Sequence, residues 1–553
     1  MTDTTDVTDM TGAAPAPGRG PRVARLASAA LLIAVLTVAA RLAGFARTVV
    51  FFHTVGAGGL GDIYQSANTV PNIIFEIVAG GALASLVVPM LAGAVARGDR
   101  QAVAATASAL LTWVLALLLP IAAVVALAAG PIVRLLAPHA GAPALAAGAD
   151  MLRVFAPQLP LYGVGIVLTG VLQAHRRFAW PVLAPLLSSV TVMAAYATFA
   201  AVAGRGPDVA RVSGTDIAVL SVGTTLGVVV LSLSLLIPLR RLRLRLRPTF
   251  GFPAAVAGTV RRLAAAGVVT VAAQQLTVAL TIVLANGGVT GTLVRFTLAQ
   301  TVYLLPWAVL ALPIATSAYP ALAEAAAVDD RDAYAATLAG ATRGLVLLCG
   351  LGAAGLATLA PPLAWTLAGG SGSDQVAAGI AGLAPGLLGY GLFALLSRAL
   401  YARGDTRQAA AATVVGWAGV VLASVLLSAA LPGTHRVLAL AVANSAGMLL
   451  LGAVLVACVA RRAGRAAVDG LARGLAASVV AAAVAAGAGV VVRRLLWADA
   501  TPGVAGALGQ GMLSGAVVVA VFLGVAYALD PRDVRPLLAG PVRKVARITG
   551  RRR

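Results

Sequence analysis

The sequence predicts an all-α polytopic membrane protein of about fourteen transmembrane helices: two parallel-repeat six-helix lobes followed by two extra C-terminal helices. Three observations carry that prediction. Of the 553 residues, 60% are hydrophobic and 11% charged, and the mean hydropathy is +0.95, which no soluble globular chain of ordinary composition approaches. The apolar residues gather in stretches of about 20 or more, the length that crosses a bilayer as a helix. A segment from the first half of the chain recurs in the second, as the pattern of a duplicated bundle requires.

The net charge is +22, carried almost wholly by arginine, since Lys544 is the single lysine. Such a charge suits either nucleic-acid binding or cytoplasmic loops that hold topology and touch anionic lipid. The arginines sit between apolar segments at alternate connections, which selects the second reading. Cys349 and Cys458 lie inside apolar runs, and His53, His139, His175 and His435 are scattered near segment ends. These residues form neither a disulfide framework nor a metal-ligand spacing. A Walker phosphate loop, a His-Glu-x-x-His pair and a serine elbow are all missing from the sequence. No stretch between spans is long enough for a catalytic domain. A transporter without cofactor or metal is expected, rather than an enzyme.

In chain order, residues 1–24 are rich in Thr, Asp, Pro and Gly and read as a disordered cytoplasmic tail. The apolar stretch from Leu26 is long and itself carries Arg41, so it reads as an uncleaved first span, not a signal peptide. Spans follow near 27–54, 61–96, 103–130, 148–174, 179–204, 215–238, 259–286, 291–323, 335–367, 377–402, 407–431, 436–460, 472–496 and 506–529. Spans 1–6 make an N-lobe over 25–238, and a basic cytoplasmic linker occupies 239–258. Spans 7–12 make a C-lobe over 259–462, spans 13 and 14 fall in 463–530, and a basic cytoplasmic tail fills 531–553. Arg97 and Arg100 follow span 2, Arg176 and Arg177 span 4, Arg240 to Arg247 span 6, Arg403 span 10 and Arg461 span 12. The positive-inside rule then puts both termini in the cytoplasm.

The repeat pairs PMLAGAVARGDRQAVAATASA from Pro89 with PALAEAAAVDDRDAYAATLAG from Pro320. The shared proline, Asp99-Arg100 against Asp330-Arg331, and Thr106 against Thr337 carry the match, because alanine matches easily. The copies are six spans apart. An even number preserves orientation, so the lobes are parallel repeats about an axis along the membrane normal. A weaker echo links LQAHRRF after span 4 with LYARGDT after span 10.

The candidate site lies in the first two spans. Arg41, Arg47 and Glu76 stand inside apolar segments. A charge at mid-bilayer costs about 2.5–3.5 kcal/mol on insertion scales and marks a partner or a water-filled cavity. Asp62, Gln65, Thr69, Asn72 and Glu76 recur at helical spacing and form one polar stripe. Arg47 lies roughly 120° round the helix from Arg41, so a bend at Gly44 or long side chains would bring both guanidinium groups to one cavity. Pro71, Gly80 and Gly81 mark expected hinges in span 2. Asp62 is expected to cap span 2 at its outer end. Glu76 is expected to be the countercharge of Arg41, at similar depth on an adjacent antiparallel helix. Gln274, Gln275 and Gln300 read as cavity-lining or interhelical groups.

The run RLAGFART…VGAGGLGDIYQSANTVPN…AGGALASLVVPML resembles the MurJ/MviN family of bacterial lipid II flippases. The Arg-x-x-Gly-Phe-x-Arg start, the glycine turn before Asp62, Pro71-Asn72 and the Val-Pro ending at Pro89 match in order. Gln274 and Pro306 are weaker later matches. The resemblance implies an inverted-V arrangement of lobes, a cationic central cavity, alternating access, and a groove for a polyprenyl tail in spans 13 and 14. It implies a multi-pass protein of the bacterial cytoplasmic membrane that moves undecaprenyl-diphosphate-linked peptidoglycan precursor, lipid II, to the outer leaflet. The family's head-group arginines fall on Arg41 and Arg47, with Asn72, Arg295 and Gln300 as further substrate-binding candidates and Glu76, Asp62, Gln274 and Gln275 around them. The chain departs from the family at Phe75 and Glu76, where relatives carry arginine, and at Thr301, where Arg295 is the nearest cation. The implied partners are lipid II, membrane lipids and cell-wall synthesis proteins, without nucleic acid. A related exporter of another polyprenyl-linked glycan, or a non-transporting scaffold for wall synthesis, is the alternative.

Overall fold

The computed structural model describes residues 21–80, 83–251, 254–370, 372–496 and 503–535, and every regular element among them is helical. Among the described residues, 12 helices can cross a membrane by length and apolar composition. A thirteenth is Ser373–Leu383 with Gly386–Ala402, a pair bent by 46°. The expected second span is made of Gly59–Phe75, a π-helical turn Glu76–Gly80, and Leu83–Ala96. Its residues 81–82, including the expected hinge Gly81, lie outside the described residues. The arrangement is compatible with fourteen spans. Helix is the only economical choice here, because a lipid-facing backbone must satisfy its own hydrogen bonds.

The duplication is written into the caps. Asp99 and Asp330 each accept a hydrogen bond from the backbone N–H three residues on, Ala102 and Ala333, at 2.9 Å in both cases. Each follows a left-handed residue, Gly98 at φ 70° and Asp329 at φ 51°. A carboxylate there satisfies an orphan N–H and offsets the positive helix end, typically for about 1 kcal/mol. The π-turn Glu76–Gly80 has its counterpart in Trp307–Ala311, at the same 231-residue offset that relates Pro89 to Pro320. π-Turns insert one extra residue and loosen the local ladder.

A second duplicated device closes the helix breaks in the fourth and tenth spans. Thr225 donates to the Val154 carbonyl at 3.0 Å and accepts from Gln158 Nε2 at 3.1 Å. Ser445 donates to the Gly382 carbonyl at 2.7 Å and accepts from the Gly386 N–H at 3.0 Å. One hydroxyl from a neighbouring helix thus satisfies a backbone carbonyl at each break, beside Pro157 in one half and Pro385 in the other, and in the second also the Gly386 N–H.

The linker expected over 239–258 is shorter, since helix Ala254–Asn286 begins inside it. Its end is strapped along helix Arg100–Leu127. The Arg247 and Thr249 N–H groups donate to Ser108 and Thr112, and Trp113 Nε1 donates to the Phe250 carbonyl, all at 3.0 Å. The last two helices, Leu471–Leu496 and Val504–Leu529, pack against Arg331–Ala368 around Leu347, Ala354, Ala481 and Phe522. Ion pairs pin them. Arg473 grips the buried Asp530 through two bonds of 3.1 Å, and Arg343 meets Asp533 at 2.9 Å.

Helix Pro21–Thr54 runs through Gly44 without a break in the helix. Pro71 sits inside Gly59–Phe75 and is buried. The irregularity of this span comes five residues later, at the π-turn that includes Gly80.

Candidate functional site

At one end of the bundle the two halves are tied together. Asp62, 7% exposed, accepts from the Gly291 N–H at 2.5 Å and the Val294 N–H at 3.1 Å. The expected cap on its own helix is not made: the N-cap there is Gly58, without a side-chain bond. Asp62 instead caps helix Thr292–Pro306 of the other half. A carboxylate seated on N–H groups at a helix N-terminus is held by charge-assisted hydrogen bonds and by the helix dipole. Beside it, Asn286 donates to Ser66 Oγ and to the Leu136 carbonyl, both at 2.9 Å. The backbones approach so closely that a side chain at Gly291, whose φ is +87°, would collide with the Ala57 carbonyl.

Inward of this closure lies a cavity of about 340 Å³ between the second span and the second half. Gln65 and Thr69 face it from one side, and Gln274, Thr281, Thr297 and Gln300 from the other. Tyr303, Tyr390, Trp417 and Asn444 also belong to its wall, and among the described residues no Asp, Glu, Lys or Arg contributes to its lining. Of the residues named from sequence, this cavity therefore gathers Gln65, Thr69, Gln274 and Gln300. Gln275 does not line it.

The two arginines occupy different ground. Arg41 and Arg47 are both exposed on helix Pro21–Thr54, which packs chiefly on Ala179–Ala203. Arg47 is within electrostatic reach of the Tyr64, Tyr162 and Tyr196 hydroxyls, and Asn72, which donates to the Asn68 carbonyl at 3.0 Å, lies beside Tyr162. Tyr162 also stacks obliquely on Phe75, with ring centroids 5.3 Å apart. Arg47, Tyr162 and Asn72 thus form a polar group on the first half. Glu76 opens the π-turn and is exposed. The expected Arg41–Glu76 ion pair is not made. Five ion pairs occur among the described residues, and none includes either side chain. Span 1 packs chiefly on span 5 and meets span 2 near its own C-terminal end, where the Phe51 and Tyr64 ring centroids are 5.0 Å apart, so similar depth does not bring Arg41 to Glu76.

Arg295 is placed apart from the cavity. It sits in the first turn of Thr292–Pro306, donates to the Thr290 carbonyl at 2.8 Å and packs beside Gly372. Its short distance from the helix start keeps it among the loops that close the bundle. Sequence reasoning did not single out Asn286, Asn444, Tyr162 or Tyr390. The signal for the two asparagines is an amide embedded in an apolar run, the same signal that identified the glutamines.

The profile of the family described as lipid II flippase MurJ matches residues 51–503, a stretch that begins just after Arg41 and Arg47. A probable lipid II flippase MurJ of Synechocystis sp. is 27% identical over 233 residues, covering 41% of this chain and 43% of that protein. In that alignment the chain spans less than half the relative's length. The lipid II flippase MurJ of Burkholderia cenocepacia is 28% identical over 392 residues, covering 68% of this chain and 74% of its own. Among solved structures, lipid II flippase MurJ in an inward closed conformation superposes with a TM-score of 0.70 at 16% identity. The match covers 90% of this chain and 99% of that one. An inward-facing multidrug resistance MATE family transporter of the MOP superfamily follows at TM-score 0.62, 13% identity and 79% of this chain, 98% of that one. Likeness at these identities shows the fold.

Proposed function

The chain belongs to the lipid II flippase MurJ family, and from that premise we propose that it carries undecaprenyl-diphosphate-linked peptidoglycan precursor across the bacterial inner membrane by alternating access. The observation that carries this reading is the family match over residues 51–503. In it, both termini are cytoplasmic and the end closed by Asp62 faces outward. The lobes over 25–238 and 259–462 rock about that closure, and the linker from 239 holds them together.

Arg41 and Arg47 take the pyrophosphate. Guanidinium groups stay charged at any working pH and pair phosphate oxygens two at a time. Both side chains are exposed and without ion-pair partners among the described residues, so no carboxylate competes with an arriving anion. Asn72 and Tyr162 supply neutral donors beside Arg47. The polyprenyl tail is led by an apolar groove of about 340 Å³, lined by Gly350, Ala354, Ala384, Leu388 and Ala482 between the C-lobe and helix Leu471–Leu496. Transport then requires the Asp62 bonds to Gly291 and Val294 to break as the lobes part outward, and to re-form on return. Partner proteins of wall synthesis belong to the same proposal and rest on the family's role alone.

The test is complementation of a bacterium depleted of its own MurJ, scored by lipid II accessibility on the outer face. Growth with accessible lipid II is the expected result. An inserted protein that restores neither would turn the reading toward another polyprenyl-linked glycan or a scaffold.

A further inference from the structure

The cavity between the lobes is built for a neutral ligand. Its amides Gln65, Gln274, Gln300 and Asn444 make no side-chain hydrogen bond among the described residues. Asn444 is 8% exposed and Tyr303, also in the wall, is 2% exposed with a hydroxyl that has no partner. Buried polar groups in native proteins are normally satisfied, and leaving one unmade costs about 1–3 kcal/mol. Asn444 and Tyr303 are buried, Gln65 and Gln274 half-buried and Gln300 exposed, and unpartnered polar groups gathered around one space, two of them buried, point to something that enters and pairs with them.

The wall also carries rings. Tyr390 lies 4.9 Å from Trp307 and 6.3 Å from Tyr303, centroid to centroid, and Trp417 joins it in the lining. Anions find no cation here, and organic cations find no carboxylate. An alkyl chain would strip the amides of water without pairing them. A hydroxyl-rich ring suits both halves of the lining, because amides both donate and accept while aromatic faces cover C–H faces. A volume of about 340 Å³ sits at the small end of ligand pockets, which run from about 300 Å³.

The duplication sharpens the contrast. At the 231-residue offset of the two π-turns, Asn72 falls opposite Tyr303 and Glu76 opposite Trp307. Arg41 and Arg47 fall opposite Ala272 and Val278. One wall has kept charges, while its copy is neutral and aromatic. We propose that this cavity is a subsite for an uncharged sugar ring of the carried head group, separate from the arginines that take its pyrophosphate. The proposal rests on the flippase reading and divides that substrate between the two lobes.

The test uses the full-length protein in nanodiscs and three probes: undecaprenyl diphosphate, the same lipid bearing its disaccharide, and soluble N-acetylglucosamine dimer. Wild type binds the glycosylated lipid on the order of tenfold more tightly than the bare one. Gln300→Leu and Asn444→Ala, each checked by its thermal midpoint, remove most of that advantage and leave affinity for the bare diphosphate within about twofold. Equal affinity of wild type for the two lipids would overturn the subsite while leaving the flippase reading intact. So would folded variants that keep the advantage or weaken both lipids alike. If wild type binds neither lipid, the flippase reading fails and the soluble dimer decides. Gln300-dependent binding of the dimer supports the subsite, and no binding overturns it.

Discussion

Asp62 and Arg41 show what single residues reveal and conceal. Arg41 was legible as special because a charge inside an apolar run is expensive, and Asp62 because it follows a glycine turn and opens the polar stripe of span 2. Their partners were not. Helical spacing describes neighbours on one helix, whereas the groups that hold Asp62 lie at Gly291 and Val294, in the other half of the chain. Equal depth suggested Glu76 as the partner of Arg41, but depth is one coordinate of three. Gln274 and Gln300 were legible as cavity residues because an amide within an apolar run needs a role, and Asn444 carried the same signal unread. Two predictions belong here. Arg41→Ala should lower transport by about 10- to 100-fold, the loss of charged hydrogen bonds to phosphate, while the protein still inserts. Arg41→Lys should recover only part, because ammonium cannot make the planar two-point contact. Full activity in Arg41→Ala, measured by complementation, would move the head-group site elsewhere. Asp62→Ala should cost the closed end about 1–2 kcal/mol, shifting the lobes roughly 5- to 30-fold toward outward opening. Faster labelling of a cysteine at Thr69 from outside measures that shift, and unchanged labelling would deny Asp62 its latching role.

Elements were the most legible scale. Apolar length and arginine punctuation located helices to within a few residues, because each signal is local. The Asp-Arg pair of the repeat proved to be a cap in both copies, Asp99 on Ala102 and Asp330 on Ala333. The π-turns at 76–80 and 307–311 were not legible. An extra residue in a helix leaves no mark in composition, although Pro71 and Gly80 pointed to the neighbourhood of the first. Asp99→Ala and Asp330→Ala should each destabilise the folded protein by about 1 kcal/mol. The caps lie in different halves, so the double variant should be additive within about 0.3–0.5 kcal/mol. Chemical denaturation in detergent reads this, and strong coupling would mean that the two ends act as one unit.

At the scale of the molecule, two parallel halves with two clamped helices were readable from the repeat. The packing between the halves was not, since it depends on pairs of residues more than two hundred positions apart. Gly58 and Gly372 belong to the loops that gather around Arg295 and Gly291, and the proposed orientation puts them outside. Cysteines at Gly58 and Gly372 should therefore label from outside in intact cells, and ones at Gly98 and Gly404 should not. Labelling at Gly98 would invert the topology. The central claim is that this end must open for lipid II to leave. A Cβ on Gly59 would stand 4.0 Å from Thr290 Cγ2, near enough for sulfurs carried on the two residues to meet. The direct measurement is lipid II appearing on the outer face of proteoliposomes that hold Gly59→Cys/Thr290→Cys, oxidised and then reduced. The account predicts no transport while the bridge is closed and recovery on reduction, with each single variant insensitive to oxidant. Equal transport in the oxidised and reduced double variant would contradict it.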